Sequence, residues 1–394
     1  MPCPRTKISL TIQAKSPYFA LMLSFWEKES FLQYDLIVIG GGIVGLSTAI
    51  SFKEKSPKST VLILESGIFP SGASTKNAGF ACYGSAAEIW NDIGELGEAK
   101  AMEVVSLRVN GLRKLRHRLG DAAIGYEEYG GGEIFLKHEE FDIGVLDQLN
   151  KSLRSFFGKQ VFYSDPERVK TLGFQRSAIR DFVTNTVEGQ IHTGLMMKNL
   201  MALARQHGIE ILTGCKAGIP DQINGQWTVP IENSMIAFSA ERVAICTNAF
   251  ASIMFPDLDI KPGRGQVLIT KPIHNLKFKG IFHFDQGYYY FRNVGNRILF
   301  GGGRNLDFEG ERTHEIATTA SIQGRLLFYL KTLILPENTT VEIEHTWAGI
   351  MAFGNEKVPI IRNLGNGLVI GVRMNGMGIA IGSEIGEQLA EFLY

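Results

Sequence analysis

The segment Asp35-Leu-Ile-Val-Ile-Gly40-Gly41-Gly42-Ile43-Val44-Gly45 restricts what this chain can fold into more than any other. An unbroken run of branched apolar residues reads as a strand buried on both faces. It leads directly into Gly-x-Gly-x-x-Gly and then into a helical pattern, the order that opens a Rossmann-type βαβ unit. Gly40 permits the tight turn, Gly42 leaves no Cβ between backbone and a pyrophosphate, and Gly45 lets helix and strand pack closely. The first helical turn, with Ile43 and Val44, offers free N–H groups and a partial positive charge to phosphates. The next strand, Thr60 to Leu64, ends in Glu65 and is followed by Ser66. A carboxylate there is placed to accept both hydroxyls of a ribose and would repel a 2′-phosphate. A dinucleotide is implied, but the glycines alone do not decide between FAD and a nicotinamide cofactor.

At 394 residues the chain predicts two domains, or one with a large insertion. No repeat or linker-like tract appears, so a second domain must be built by excursions out of the first. After the βαβ signal, Glu88 to Leu119 reads as long helices with an apolar stripe at Val104, Leu107, Leu112, Leu115 and Leu119. Their basic side, Arg113, Lys114, Arg116 and Arg118, reads as a solvated face rather than a docking patch. Short β-like runs follow at Glu133 to Lys137, Gln266 to Thr270, Gly287 to Arg292 and Arg297 to Gly301, and these predict an antiparallel sheet. Between them the α/β pattern returns, with a helix over Leu195 to His207 and strands at Ile209 to Leu212 and Val243 to Cys246. The chain closes with a strand at Leu368 to Gly371 and a helix from Gly378.

The balance of 40 basic and 40 acidic residues supplies no overall positive field, which argues against nucleic-acid binding and favours a small-molecule partner. The four cysteines, at 3, 82, 215 and 246, form no CxxC pair; no metal site or disulfide framework is read from them, and cytoplasmic residence is the expectation. The apolar run Pro17 to Trp26 is too short to span a bilayer and has no small-residue cleavage site. Met22 is a second plausible start, so residues 1–21 read as an extension of the folded chain.

From Gly72-Ala73-Ser74-Thr75-Lys76-Asn77-Ala78-Gly79 onward the chain resembles the D-amino acid oxidase/glycine oxidase/sarcosine oxidase (DAO) family of FAD-dependent oxidoreductases. Matching stretches are Thr193 to Gly208, Val243 to Ala249 with Thr247 and Asn248, Pro262 to Gln266, Trp347-Ala-Gly349 with Pro359-Ile-Ile, and Gly371-Val-Arg373-Met-Asn375-Gly376-Met377-Gly378. The resemblance implies FAD as cofactor. It implies an α/β fold in which a Rossmann-like FAD-binding domain (30–84, 163–254 and 345–394) is interleaved with an antiparallel-sheet substrate domain (85–162 and 255–344). It further implies that the turn at 72–79 passes along the phosphates and flavin, and that amides of Asn375 to Gly378 at the final helix start stabilise charge on the flavin N1/C2=O edge.

Three departures from the relatives bear on chemistry. The cysteine or histidine that holds flavin covalently in some of them is absent from Gly349-Ile-Met351-Ala-Phe and from Ser74 to Asn77, so FAD is expected to bind non-covalently. The arginine that grips a substrate carboxylate after Trp-Ala-Gly is replaced by Met351; Arg292, Arg304 and Arg373 are the cations that can take its place, whereas Arg264 reads as structural. The lysine that assists oxygen reaction in the sarcosine-oxidase branch has no counterpart in Ile298-Leu299-Phe300, which leaves oxygen or another acceptor open. Tyr288 and Tyr290 share one face of a strand and become substrate-pocket candidates with Arg292, Arg373 and Met351. His283 reads as an ordinary strand residue, and no general base is assigned. The expected reaction is oxidation of a carbon–nitrogen bond in a small amine or amino acid by hydride transfer to flavin N5. The alternatives are a 2-hydroxy acid dehydrogenase and a flavin-binding subunit that is non-catalytic or relays electrons.

Overall fold

Leu36 to Ile39 and Val61 to Leu64 are almost wholly buried because both strands lie inside a parallel sheet covered on its two faces. The computed structural model describes residues 23–394; the expectations about the N-terminal extension and Met22 lie outside the described residues. The sheet runs in the order Ile360–Gly365, Leu368–Val372, Ala237–Ile245, Gln33–Ile39, Val61–Glu65, Glu210–Thr213, with a hairpin of Asp221–Ile223 and Gln226–Pro230 attached to Ala237–Ile245. From Leu368–Val372 to Glu210–Thr213 the pairings are parallel. The chain therefore leaves this sheet after Glu65, returns at Glu210, leaves after Ile245 and returns at Ile360.

Helix Ile43–Lys55 packs between the sheet and the final helix Gly378–Glu391, which in turn meets the long helix Glu98–Leu119. Glycines set these approaches: a Cβ on Gly386 would lie 2.4 Å from Ser47 Cβ, and one on Gly111 only 2.2 Å from the Ala380 carbonyl. The basic residues of the long helix are neither free nor merely solvated. Arg113 donates to the Phe156 carbonyl, Lys114 pairs with Glu384, Arg116 with Asp121 and Arg118 with Glu54. Each joins the helix to another part of the fold.

The two excursions build a second sheet of eight strands, in the order Ile343–Phe353, Lys261–Thr270, Arg297–Gly302, Tyr289–Val294, Ile281–Phe284, Gly131–Leu136, Ile179–Asn185, Phe162–Ser164. Neighbours are antiparallel except Ile281–Phe284 against Gly131–Leu136, where a strand of the later excursion joins one of the earlier. The sheet is thus mixed rather than purely antiparallel. Ile179–Asn185 and the whole of Ile343–Phe353 belong to it, although the expected intervals put 179–185 and 345–353 with the dinucleotide unit. One face of this sheet holds an aromatic core of Phe282, Phe284, Tyr289, Phe291 and Phe300. Period-2 alternation sends Tyr290, Arg292, His283 and Glu133 to the other face, toward the dinucleotide unit.

Candidate active site

The Gly-rich turn has the geometry its sequence predicts. Gly40 has φ of 109°, and a Cβ there would stand 2.7 Å from the Cys246 carbonyl oxygen. A Cβ on Gly45 would come within 2.0 Å of the Gly40 carbonyl, so the helix touches the turn through bare backbone. Ile43 and Val44 point into the core, so the helix start presents only backbone, with the Val44 amide left for a ligand. Glu65, buried at the strand end, accepts the Gly41 amide at 3.0 Å and the Gly67 amide at 2.9 Å. Each carboxylate oxygen retains a second lone pair for a ribose hydroxyl. Ser66 beside it is exposed.

The turn after Gly72 folds onto the helix start. Ser74 Oγ accepts the Ile43 amide at 3.0 Å and lies 3.0 Å from the Cβ position that Gly42 leaves empty. Thr75 and Asn77, expected at the cofactor, spend their side chains on the turn itself. The Thr75 hydroxyl donates to the carbonyls of Pro70 and Gly72. Asn77 donates to those of Ala73 and Ser74 and accepts from the Gly79 amide and the Thr193 hydroxyl. Ala78 is buried against Leu299 and Val267. The turn also meets the second sheet, since the Trp347 indole donates to the Lys76 carbonyl at 2.9 Å and a Cβ on Gly349 would sit 2.8 Å from Lys76 Cβ.

Across the top of the parallel sheet, Asn248 Oδ1 accepts the amides of Arg373 and Met374 at 3.1 and 3.3 Å. Arg373, Asn375 and Gly376 all have positive φ, so the backbone is coiled tightly before Met377 caps the helix that Gly378 begins. Beside Asn248, the Thr247 hydroxyl is buried and has no partner among the described residues. A helix N-terminus capped by a side chain only at Ile43, a buried acid at the neighbouring strand end and this orphaned hydroxyl fit a bound FAD.

The expected cations separate clearly. Arg373 is turned away from the site: it pairs with Asp259 at 2.9 Å and donates to the carbonyls of Val358 and Asp259, because its positive φ of 64° directs the side chain toward that segment. Arg292 is buried under the cofactor turn, where it donates to the carbonyls of Ala78 and Ile191; burial lowers its pKa to about 10. Both are therefore structural rather than substrate-binding groups. Arg264, on the opposite face of its strand, forms a buried bidentate pair with Glu311, in keeping with its structural reading. Arg304 differs from all three. Its guanidinium lies 4.0 Å over the Phe353 ring and 5.0 Å from Phe308, and neither a carboxylate nor a carbonyl among the described residues accepts from it. Burial lowers its pKa, which the proximity of Tyr288, Glu311 and Tyr290 partly offsets.

Tyr290 lies flat over Gly301, where a Cβ would come 2.6 Å from its ring. A Cβ on Gly265 would meet Met351 Cε at 2.7 Å and the Tyr290 hydroxyl at 3.8 Å, and one on Gly376 would meet Met351 Sδ at 3.8 Å. Tyr290, Met351 and the turn at 376 thus converge over a glycine floor, with Arg304 beside them. Tyr288 sits in the turn before the strand and packs on Phe308, so it is a second-row neighbour of Arg304 rather than a partner of Tyr290. The sequence reading missed the buried acids Glu133 and Glu188 and the partly exposed Glu88; the signal was Glu133 in an otherwise apolar strand.

Residues 35–392 match the family model DAO, FAD dependent oxidoreductase. Over 372 residues the chain is 21% identical to the probable oxidoreductase OrdL of Haemophilus influenzae, covering 91% of this chain and 82% of that protein. Its fold is similar to that of glycine oxidase from Geobacillus kaustophilus, with a TM-score of 0.74 and 18% identity over 92% of this chain and 95% of the other. It is also similar to that of L-proline dehydrogenase from P. horikoshii, with a TM-score of 0.73 and 19% identity over 91% and 93% of the two chains.

Proposed function

The chain belongs to the DAO family of FAD-dependent oxidoreductases, and from that premise we propose that it oxidises the carbon–nitrogen bond of a small amino acid by hydride transfer to flavin N5. The observation that carries the reading is Arg304, a cation with no acidic partner beside Tyr290 and Met351 at the turn that would meet the flavin. A guanidinium held between aromatic rings is ready to fork onto a carboxylate without first breaking an ion pair. Arg304 supplies from the loop after Arg297–Gly302 the charge that Met351 does not supply from its own strand. The names of the structural neighbours, a glycine oxidase and a proline dehydrogenase, support the same class of substrate.

FAD, when bound, accepts two electrons as a hydride from the substrate carbon. The protein's part is binding and orientation. Arg304 fixes the carboxylate, the Tyr290 hydroxyl faces the reacting centre, and Met351 closes the apolar side of the space. FAD is held non-covalently by the amides at 44–45, by Glu65 and by the turns at 72–79 and 373–378. Electrostatic fixing of a carboxylate serves a 2-hydroxy acid equally well, so that substrate class is the second reading. Anaerobic mixing of the yellow protein with amino acids and with 2-hydroxy acids tests both. Loss of the flavin absorbance with amino acids is expected; loss with hydroxy acids alone would replace the first reading by the second, and loss with neither would remove both.

A further inference from the structure

Beside Tyr290 several further polar side chains keep accessible surface. Cys82, Glu88, His283 and Tyr290 are each partly exposed while protein crowds them closely enough to shift their ionisation, as happens to side chains around a cleft. Glu88 is the clearest case: its side chain remains 38% exposed while one of its oxygens holds Arg108 at 2.6 Å. The strand register sets His283 beside Tyr290 on one side and beside Glu133 on the other. His283 has no hydrogen-bond partner among the described residues, and burial lowers its pKa to about 4, so the imidazole is neutral.

Two further acids back this wall. Glu133 accepts the Ser85 hydroxyl at 2.9 Å and the Ala87 amide at 3.0 Å. Glu188 accepts the amides of Tyr83 and Gly84 on Oε1, at 2.9 and 3.2 Å. Its Oε2 is buried and unpartnered, in a residue only 1% exposed. Of the three carboxylates only Glu88 is paired with a cation, Arg108, while no cationic side chain among the described residues pairs with Glu133 or Glu188; Cys82 and a neutral His283 lie alongside. Burial, reinforced by their mutual repulsion, pushes Glu133 up to about 7 and Glu188 up to about 8. A compartment short of positive charge, carrying an orphaned carboxylate oxygen and a free imidazole, is complementary to an ammonium group.

We propose that the space past Tyr290 is a subsite for a second cationic group, so that the substrate is a diamino acid. Its carboxylate lies on Arg304, its reacting carbon–nitrogen bond beside Tyr290 and Met351, and its distal ammonium against Glu88 and the nitrogens of His283, with the buried acids Glu133 and Glu188 behind them. This rests on the amino-acid reading above and adds the side chain. A cation arriving beside half-protonated acids stabilises their charged forms, so binding releases protons.

The test compares 6-aminohexanoate, which keeps the carboxylate and distal ammonium of lysine but lacks its α-amine, with hexanoate, by calorimetric titration of the FAD-loaded protein at pH 7.5 in two buffers of different ionisation enthalpy. We expect the amino acid to bind at least tenfold tighter and with release of a fraction of a proton, and hexanoate to bind without release. Glu188→Gln, which keeps an oxygen for the Tyr83 and Gly84 amides, should diminish the proton release and the preference together. Equal affinities, or binding of neither compound, would overturn the subsite. Flavin bleaching separates this from the reading it rests on. Norleucine acting as fast as lysine and ornithine removes the subsite and leaves amino-acid oxidation standing, whereas inertness toward every amine removes both.

Discussion

Asn248 holds Arg373 by its backbone: one side-chain oxygen takes the amides of Arg373 and Met374, and so ties the loop after Ala237–Ile245 to the turn that starts the final helix. Both residues have positive φ, 49° and 64°. Two strained turns on adjacent parallel strands are therefore braced against each other at the edge where the flavin is to lie, and the brace is made by a side chain that tolerates the left-handed region.

Asn248→Ala removes both hydrogen bonds and leaves two amides to find other partners. The expected cost is about 1–3 kcal/mol of stability. Because the loss falls at the cofactor turn, FAD should dissociate on the order of tenfold more readily. Thermal unfolding of apo- and FAD-loaded protein, with fluorescence titration of FAD, measures both; an unchanged FAD affinity would mean that the turn holds its shape without Asn248.

Gly45→Ala is expected to be severe and Gly72→Ala mild. The added methyl at 45 would stand 2.0 Å from the Gly40 carbonyl, a contact that only separation of helix from strand relieves, whereas nothing lies within 4 Å of the same atom at 72. Overpacking of this kind costs about 3 kcal/mol or more. Melting temperatures of the two variants, read against the wild type, check the contrast.

How much of this was legible in the sequence follows the range of the interactions. Gly40, Gly42, Gly45 and Glu65 form one local motif whose order along the chain dictates its geometry, and the turn at 72–79 and the turn at 373–378 carry motifs of their own. The choice among Arg292, Arg304 and Arg373 was not legible, because it depends on partners remote in sequence: Asp259 for Arg373 and the Ala78 and Ile191 carbonyls for Arg292. A sequence shows a cation but not whether an acid already occupies it. The strand Ile179–Asn185 escaped notice for a similar reason, since only its pairing with Gly131–Leu136 distinguishes it from a loop. Glu88, Glu133 and Glu188 come from three separate elements, and nothing short of the fold brings them together.

Arg304→Ala should raise KM for carboxylate substrates by roughly 10–100-fold, the loss of hydrogen bonds to a charged group. Arg304→Lys should recover little, since an ammonium neither forks nor stacks on Phe353 as a guanidinium does. Arg373→Ala should instead lower the melting temperature, because it leaves Asp259 and Glu356 without their cation. Steady-state kinetics and thermal unfolding of the three variants tell substrate anchor from structural clamp. A large KM effect from Arg373→Ala with no loss of stability would reverse the assignment.

The strand position facing the cofactor turn is apolar: Leu299 packs on Ala78 and Val267. With no cation at position 299, and with the cross-strand Arg292 committed to the Ala78 and Ile191 carbonyls, flavin reduced by substrate is expected to reoxidise slowly in air and at least tenfold faster with an artificial quinone acceptor. Stopped-flow reoxidation with each acceptor decides the point, and equal rates would identify an efficient oxidase.

Stability should fall between about pH 6.5 and 8. Glu133 and Glu188 have folded-state pKa values near 7 and 8, well above the usual carboxylate value, chiefly because both are buried. Up to those values the folded protein binds more protons than the unfolded chain, so the stability they contribute is full at low pH and is lost as pH rises through them. His283 works in the opposite sense. Its pKa is lowered to about 4 by burial, so below about pH 6.5 the unfolded chain takes up the extra proton and stability rises with pH. The two slopes oppose each other from about pH 4 to 6.5, and above that only the acids remain. Unfolding by denaturant across pH 6.5–8.5 should therefore show a decline on the order of 1 kcal/mol or more, and Glu188→Gln should flatten its upper part. A flat profile in the wild-type protein would mean that both acids are ionised in the folded state, and the charge deficit behind Tyr290 would then be offset by a group other than a bound proton.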